Sequence, residues 1–427
     1  MLSKVLLIAE AANPEWVSVP LIGWSLAQAI GRSMPTHLVT QIRNRPAILR
    51  QGLAEGADFT VINSEAVARP LWLASRFIRG NSGVGWTTET AFAALSYYYF
   101  EYLVWQRLGP AIQRKDFRLI HRITPLSPTI PSILAQKAER SGVPFVIGPL
   151  NGGVPWPKAF NSERRKEREW LSYFRSAHKL LPGYGSTLKS ASALIVGSRN
   201  TLNQVPESFR NKCVYLPENG IDPSRFSQTA TQLSSRLSAC FVGRLVPYKG
   251  PDMLIEALAP LLRGDRLRLD IIGDGPLMMP LRDLIRRESV ERSVTLHGWI
   301  DHHQLQRVMI RSQLFTFPSI REFGGGVVLE AMALGLVPIV VDYGGPGELV
   351  NDQVGFKIPI GTRREIILNF RNAVERICER PEEIAERSTL ARKITHSSFS
   401  WKAKAEQVTK VYEWVLGSRS EIPVIFN

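Results

Sequence analysis

Three cysteines in 427 residues, at positions 213, 240 and 378, are too few and too scattered for a disulfide framework or a thiolate metal site. Their odd count and lack of metal spacing point to a reducing compartment. No uninterrupted apolar run reaches the ~18 residues that a transmembrane helix needs. The short apolar stretch after Met1 has no small-residue cleavage site and passes straight into Glu10, so it reads as a first core strand, not a signal peptide. Internal repeats and low-complexity tracts are missing, which argues against a solenoid or scaffold role. No G-x-G-x-x-G with an acid about twenty residues on follows Val5–Ala9, against a dinucleotide-dependent dehydrogenase. No Asp-x-Asp pair stands at the end of a strand-like run either. Asp274, in Gly273-Asp-Gly275, lacks the second acid and reads as a turn former, so we expect no metal.

What the chain does have is alternation. Strand-like runs at Val5–Ala9, His37–Gln41, Phe59–Ile62, Leu119–Ile123, Phe145–Ile147 and Ala193–Val196 are separated by helix-sized stretches. The pattern repeats at Ala239–Gly243, Leu267–Ile272, Val294–Leu296, Leu314–Phe317 and Val337–Val341. Alternating strands and helices predict parallel sheets with right-handed crossovers and ligands outside the carboxyl ends of the strands. The length exceeds what one core supports, so two domains are expected. We place them at residues 1–226 and 237–398, with a Ser/Thr/Gln-rich linker at 227–236. A final amphipathic helix, 399–418, opens at Phe399-Ser-Trp-Lys402. Leu95, Tyr98, Tyr102 and Trp105 fall on one face of an aromatic-rich helix and are expected in the core, with a membrane anchor as the alternative.

One segment is more specific than the rest. Ser319-Ile-Arg-Glu-Phe-Gly-Gly-Gly-Val-Val-Leu-Glu330 joins a strand-like run to a helix-like run. The glycines at 324–326 let backbone approach a ligand closely, and the first amides of the helix behind them point outward unsatisfied. Such a helix start suits a phosphate. Two carboxylates, Glu322 and Glu330, bracket the turn, and carboxylates are good acceptors for vicinal hydroxyls. Upstream, Phe241-Val-Gly-Arg-Leu-Val-Pro-Tyr-Lys-Gly250 sets Arg244, a bidentate fork, and Lys249, a compact charge, just before a helix. Diphosphate, sugar hydroxyls and two cations together describe a nucleotide sugar.

The string Glu322-x7-Glu330, with Gly335, Gly344-Gly-Pro-Gly347 and Pro217-Glu-Asn-Gly-Ile-Asp222, resembles the retaining "group 1" glycosyltransferases of the GT-B fold. That resemblance implies two Rossmann-like domains facing across a cleft, acceptor held by the first, donor by the second, and the last helix crossing back. It also implies transfer of a sugar with retention of anomeric configuration, in polysaccharide or glycolipid synthesis. In the family pattern Arg244 and Lys249 stabilise the departing diphosphate and Glu322 meets the transferred sugar. Gly243, Phe323, Gly324, Gly325, Gly326 and Val327 line the donor, and Glu330 takes the ribose hydroxyls. The donor is then a UDP- or GDP-sugar, with no cofactor and no metal.

The first half departs from the family. The loop Glu10–Pro20 has no glycine pair, which leaves Trp16 and Glu15 as acceptor-facing candidates. In place of a usual histidine stands Gly148-Pro-Leu-Asn-Gly-Gly153, so Asn151 or the amides of Gly152 and Gly153 become candidate sugar contacts. His121 at a strand end is a further candidate, or else a satisfied structural histidine. Charge is uneven: residues 1–230 hold 27 Lys+Arg against 15 Asp+Glu (+12), leaving +3 of the net +15 for the rest. With the resemblance, this suggests a cytoplasmic enzyme, peripheral at an anionic inner membrane face, acting on a glycan or lipid-linked acceptor. The run Ser162–Arg168 is mixed in sign, and a plain solvated helix explains it as well as a membrane-facing segment does. A GT-B sugar-nucleotide epimerase and a basic nucleic-acid-binding protein are the alternatives. The second lacks any binding motif, so no nucleic-acid partner is expected.

Overall fold

A computed structural model describes residues 4–71, 86–160, 181–230 and 236–426. The chain divides into two compact units. The first gathers Met1–Gly152, Arg164–Glu218 and Trp401–Asn427; the second gathers Gly153–Glu163 and Asn219–Ser400.

The first unit is built on a seven-stranded sheet, β1 (Lys4–Ala9), β2 (Thr36–Gln41), β3 (Phe59–Ile62), β4 (Phe117–Thr124), β5 (Phe145–Leu150), β6 (Ala193–Val196) and β7 (Cys213–Tyr215). Their order is β3-β2-β1-β4-β5-β6-β7, and every pairing is parallel. The near-continuous apolar strands follow from burial on both faces. Val5 and Leu7 point into one core with Trp24, Ile30, Val408 and Tyr412. Leu6 and Ile8 point into the other with Tyr97, Phe100, Val104 and Leu134. Successive side chains of a strand face opposite ways, so one strand serves two cores. Helix Val19–Ser33 and the last helix, Trp401–Val415, cover the first of these faces.

The second unit holds β8 (Leu237–Val242), β9 (Leu267–Ile272), β10 (Val294–Gly298), β11 (Leu314–Phe317), β12 (Val337–Val341) and β13 (Phe356–Ile358). The order is β10-β9-β8-β11-β12-β13, again all parallel. Each unit therefore is a Rossmann-like doubly wound sheet, and its loops of interest lie at the carboxyl ends of the strands.

Three expectations are corrected. The strip Gly153–Phe160 and residues 219–226, assigned to the first domain from sequence order, pack with the second unit. Their apolar side chains, Trp156 and Phe160, find their core there. The aromatic stripe is not wholly core: in helix Trp86–Gln113 the buried face is Ala94, Tyr97, Phe100 and Val104, whereas Leu95 and Tyr102 are exposed. Gly344–Gly347, read as a turn, opens the short helix Gly344–Leu349. The run Ser162–Arg168 and part of the expected linker lie outside the described residues.

Candidate active site

The second unit brings its sequence-predicted residues together through two neighbouring strand ends. After β8 the chain makes a single helical turn, Pro247–Lys249, then enters helix Pro251–Arg263. After β11 it makes the Ser319–Gly325 turn into helix Gly326–Ala333. The carbonyl of Tyr248 accepts from the Ile320 amide at 3.0 Å and from Ser319 Oγ at 3.3 Å, lashing one turn to the other. That contact sets Lys249 directly against Glu322, ammonium to carboxylate. The two side chains are only 15% and 21% exposed, and the Lys249 nitrogen lies 5.1 Å from the Phe317 ring. Burial pulls the Lys249 ammonium down to about 8. The opposing carboxylate favours its charged form. Arg244, by contrast, is exposed, with no ion pair among the described residues.

Gly325 caps the start of helix Gly326–Ala333 at φ 63°, a left-handed conformation in which glycine is unstrained. No side chain caps this helix, and its first amides have no carbonyl a turn earlier within the helix to bind. The amide of Gly345 donates to the Glu322 carbonyl at 3.1 Å, holding the turn from the β12 side. Glu330, half-buried, stands one turn into the helix. Phe323 remains exposed at the lip. Gly243 sits at the end of β8, its amide bound to the Ile272 carbonyl at 3.0 Å. Asp274 forms a turn, as read from sequence: its carboxylate accepts from the Gly275 amide at 2.7 Å. The set of two cations, an uncapped helix start and two flanking carboxylates can hold a diphosphate joined to hydroxyl-rich groups. Among the described residues no His/Cys/Asp/Glu cluster is arranged to hold a metal.

The candidates in the first unit fare differently. His121 is fully buried and does not offer a ring nitrogen to a ligand. Its Nε2 lies 2.7 Å from the Gly148 carbonyl and must donate; Nδ1 then accepts from the Tyr412 hydroxyl at 2.6 Å. Burial drives its pKa down to about 4, so the ring is neutral. Of the two readings of His121, substrate contact or satisfied structural histidine, the structure supports the second. The Gly152 amide is likewise spent, donating to Thr201 Oγ1 at 2.9 Å. Asn151 donates its side-chain amide to Glu218. Trp16 is 45% exposed, on a loop whose Glu15 is paired with Arg50 at 2.7 Å.

Two features escaped sequence reasoning. The strip Gly153–Phe160 lies against the Ser319–Gly326 turn: Arg321 Nε donates to the Val154 carbonyl at 3.4 Å and the Tyr343 hydroxyl to the Pro155 carbonyl at 2.8 Å. Nothing local in Val154-Pro-Trp-Pro157 signals this, because the partners are 167 and 188 residues away. The other is Trp299, 74% exposed just beyond the carboxyl end of β10. In the sequence it shows only as a tryptophan directly after Gly298, past the strand-like run Val294–Leu296.

Comparison with known proteins bears on the second unit most. Residues 228–389 match the family model for glycosyl transferases group 1. Glycogen synthase of Mycobacterium tuberculosis is 28% identical over 230 residues, covering 53% of this chain and 55% of that protein. Alpha-D-kanosaminyltransferase of Streptomyces kanamyceticus is 29% identical over 186 residues, 42% of this chain and 46% of that one. The chain thus spans about half the length of the curated relatives it matches. The crystal structure of Anabaena Alr3699/HepE in complex with UDP matches with a TM-score of 0.61 at 18% identity, covering 96% of this chain and 99% of that one. The chain has the GT-B fold of two Rossmann-like domains, and residues 228–389 are similar to the group 1 glycosyl transferases.

Proposed function

We propose that this protein transfers a sugar from a nucleotide-diphosphate donor to a glycan or lipid-linked acceptor, with retention of anomeric configuration. The observation that carries the reading is the Lys249–Glu322 contact beside the uncapped start of helix Gly326–Ala333. Glycosyl transfer leaves negative charge on the departing diphosphate and oxocarbenium character on the sugar. Lys249, Arg244 and the outward amides of Gly326 and Val327 meet the growing negative charge, preorganised, without a metal. Glu322 takes hydroxyls of the transferred sugar, Glu330 those of the ribose, and the exposed face of Trp299 offers a stacking surface for the base. The relatives' names support sugar transfer, and UDP in the Anabaena neighbour supports a nucleotide donor. Retention rests on the Glu322-x7-Glu330 pattern.

A thermal-shift panel of UDP- and GDP-sugars tests the donor. At a hundred times Kd, binding adds about 2.7 kcal/mol, which raises Tm by several degrees. Labelled sugar from the best donor must then appear on an acceptor, with the anomeric configuration read by NMR. A donor isomerised without transfer makes the protein an epimerase, and no shift with any sugar nucleotide refutes the reading.

A further inference from the structure

The strip Gly153–Phe160 has a role beyond filling space. Trp156 and Phe160 are buried in one cluster with Met253, Ile320, Val341 and Ile366, so the strip is anchored at its far end by apolar packing. Nearer the site it touches both turns of the charge pair. The Trp156 ring meets Tyr248 edge-on at 6.2 Å, one residue before Lys249. The Arg321 guanidinium, one residue before Glu322, lies 5.1 Å from the Trp156 ring and 5.9 Å from the Phe323 ring. It is tied again by Nε to the Val154 carbonyl at 3.4 Å. At Gly153, φ 78°, a Cβ would fall 2.7 Å from the Phe323 ring, so the close approach needs glycine.

We infer that Trp156 and Arg321 are positioning residues: the strip clamps Tyr248 and Arg321 at once and thereby fixes Lys249 against Glu322. The inference rests on the donor reading above. Neither residue need touch the donor. A guanidinium held between two aromatic faces and a carbonyl has few rotamers left, and this restraint passes to the neighbouring Glu322 backbone. An ion pair that must keep one geometry beside an anion site benefits from such support, since a small misplacement of a charged group costs affinity steeply.

The test is calorimetric titration of the full chain with UDP and GDP, with Tm measured for every variant. For the nucleotide that wild type binds, Arg321→Met should lower affinity about five- to tenfold at near-native Tm, and Arg321→Lys should restore part of it. Trp156→Phe should keep most of the affinity and Trp156→Ala should lose it. In a Lys249→Ala background, Arg321→Met should cost less than twofold, because its effect passes through that lysine. A full-sized loss in that background, native affinity in Arg321→Met, or affinity lost only together with the fold would each overturn the inference. Failure of wild type to bind either nucleotide would sink the donor reading, and this inference with it.

Discussion

The two cations proposed to meet the diphosphate, Lys249 and Arg244, differ in burial, and that difference sets a prediction. Lys249 is 15% exposed and Arg244 is open to solvent. A unit charge about 4 Å away is worth about 4 kcal/mol at an effective dielectric of about 20, and about 1 kcal/mol in water. Glu322 already meets Lys249 and cancels part of its field. Taking half as lost leaves about 2 kcal/mol, or about 30-fold in affinity. Arg244 should contribute 1 kcal/mol or less and be screened by salt. We therefore expect Lys249→Ala to weaken UDP or GDP binding about 30-fold at any salt. Arg244→Ala should weaken it severalfold at low salt and little at high salt. Isothermal titration calorimetry at two ionic strengths measures both. With burial drawing Lys249 to about 8, affinity of the wild type should also fall as pH rises through that value. The reasoning fails if Arg244→Ala costs as much as Lys249→Ala, or if both cost less than twofold.

Glu330→Gln keeps size but swaps an acceptor for a donor, so donor KM should rise about tenfold on the loss of ~1.5–3 kcal/mol, with Tm unchanged; unaltered donor kinetics would remove Glu330 from the site. His121 is held at about 4 in the fold against an ordinary 6.5, so the unfolded chain binds more protons between these values. Stability should be full above 6.5 and decline by about 3 kcal/mol as pH falls to 4, and urea titrations of wild type and His121→Gln should differ in that window. The +12 balance of residues 1–230 predicts binding to anionic vesicles that high salt abolishes, with little binding to neutral ones. Equal, weak cosedimentation with both would mean the charge serves solubility alone.

Eleven strands were readable because their runs of Val, Ile, Leu and Phe are buried on both faces and bounded by turn residues. The two that were not, Cys213–Tyr215 and Phe356–Ile358, are three-residue edge strands, too short to show a period. The two glycine turns of the second unit were readable because glycines, cations and carboxylates stand at fixed spacings within them. The polar candidates of the first unit were not, since a single His121 or Asn151 looks the same whether its partners are protein or ligand. For His121 the deciding group, the Tyr412 hydroxyl, lies 291 residues away in the chain. The same distance problem hid the Gly153–Phe160 strip, whose packing partners are in the other half of the sequence.

The last helix has a consequence for how the molecule is made. Ala405, Val408, Val411 and Tyr412 fill one face of the first unit's sheet, and the Tyr412 hydroxyl satisfies a buried nitrogen of His121. On the ribosome, strands β1 to β7 are complete long before that helix emerges. At ~5–20 residues per second, the stretch from β7 to Tyr412 takes about 10–40 s to synthesise. For that interval the part of the sheet face that helix Val19–Ser33 does not cover, and a polar histidine, stand without the last helix, while the second unit has all its strands before the first is sealed. The half that starts the chain is thus the half that finishes folding, and its nascent form is where a chaperone would find exposed surface.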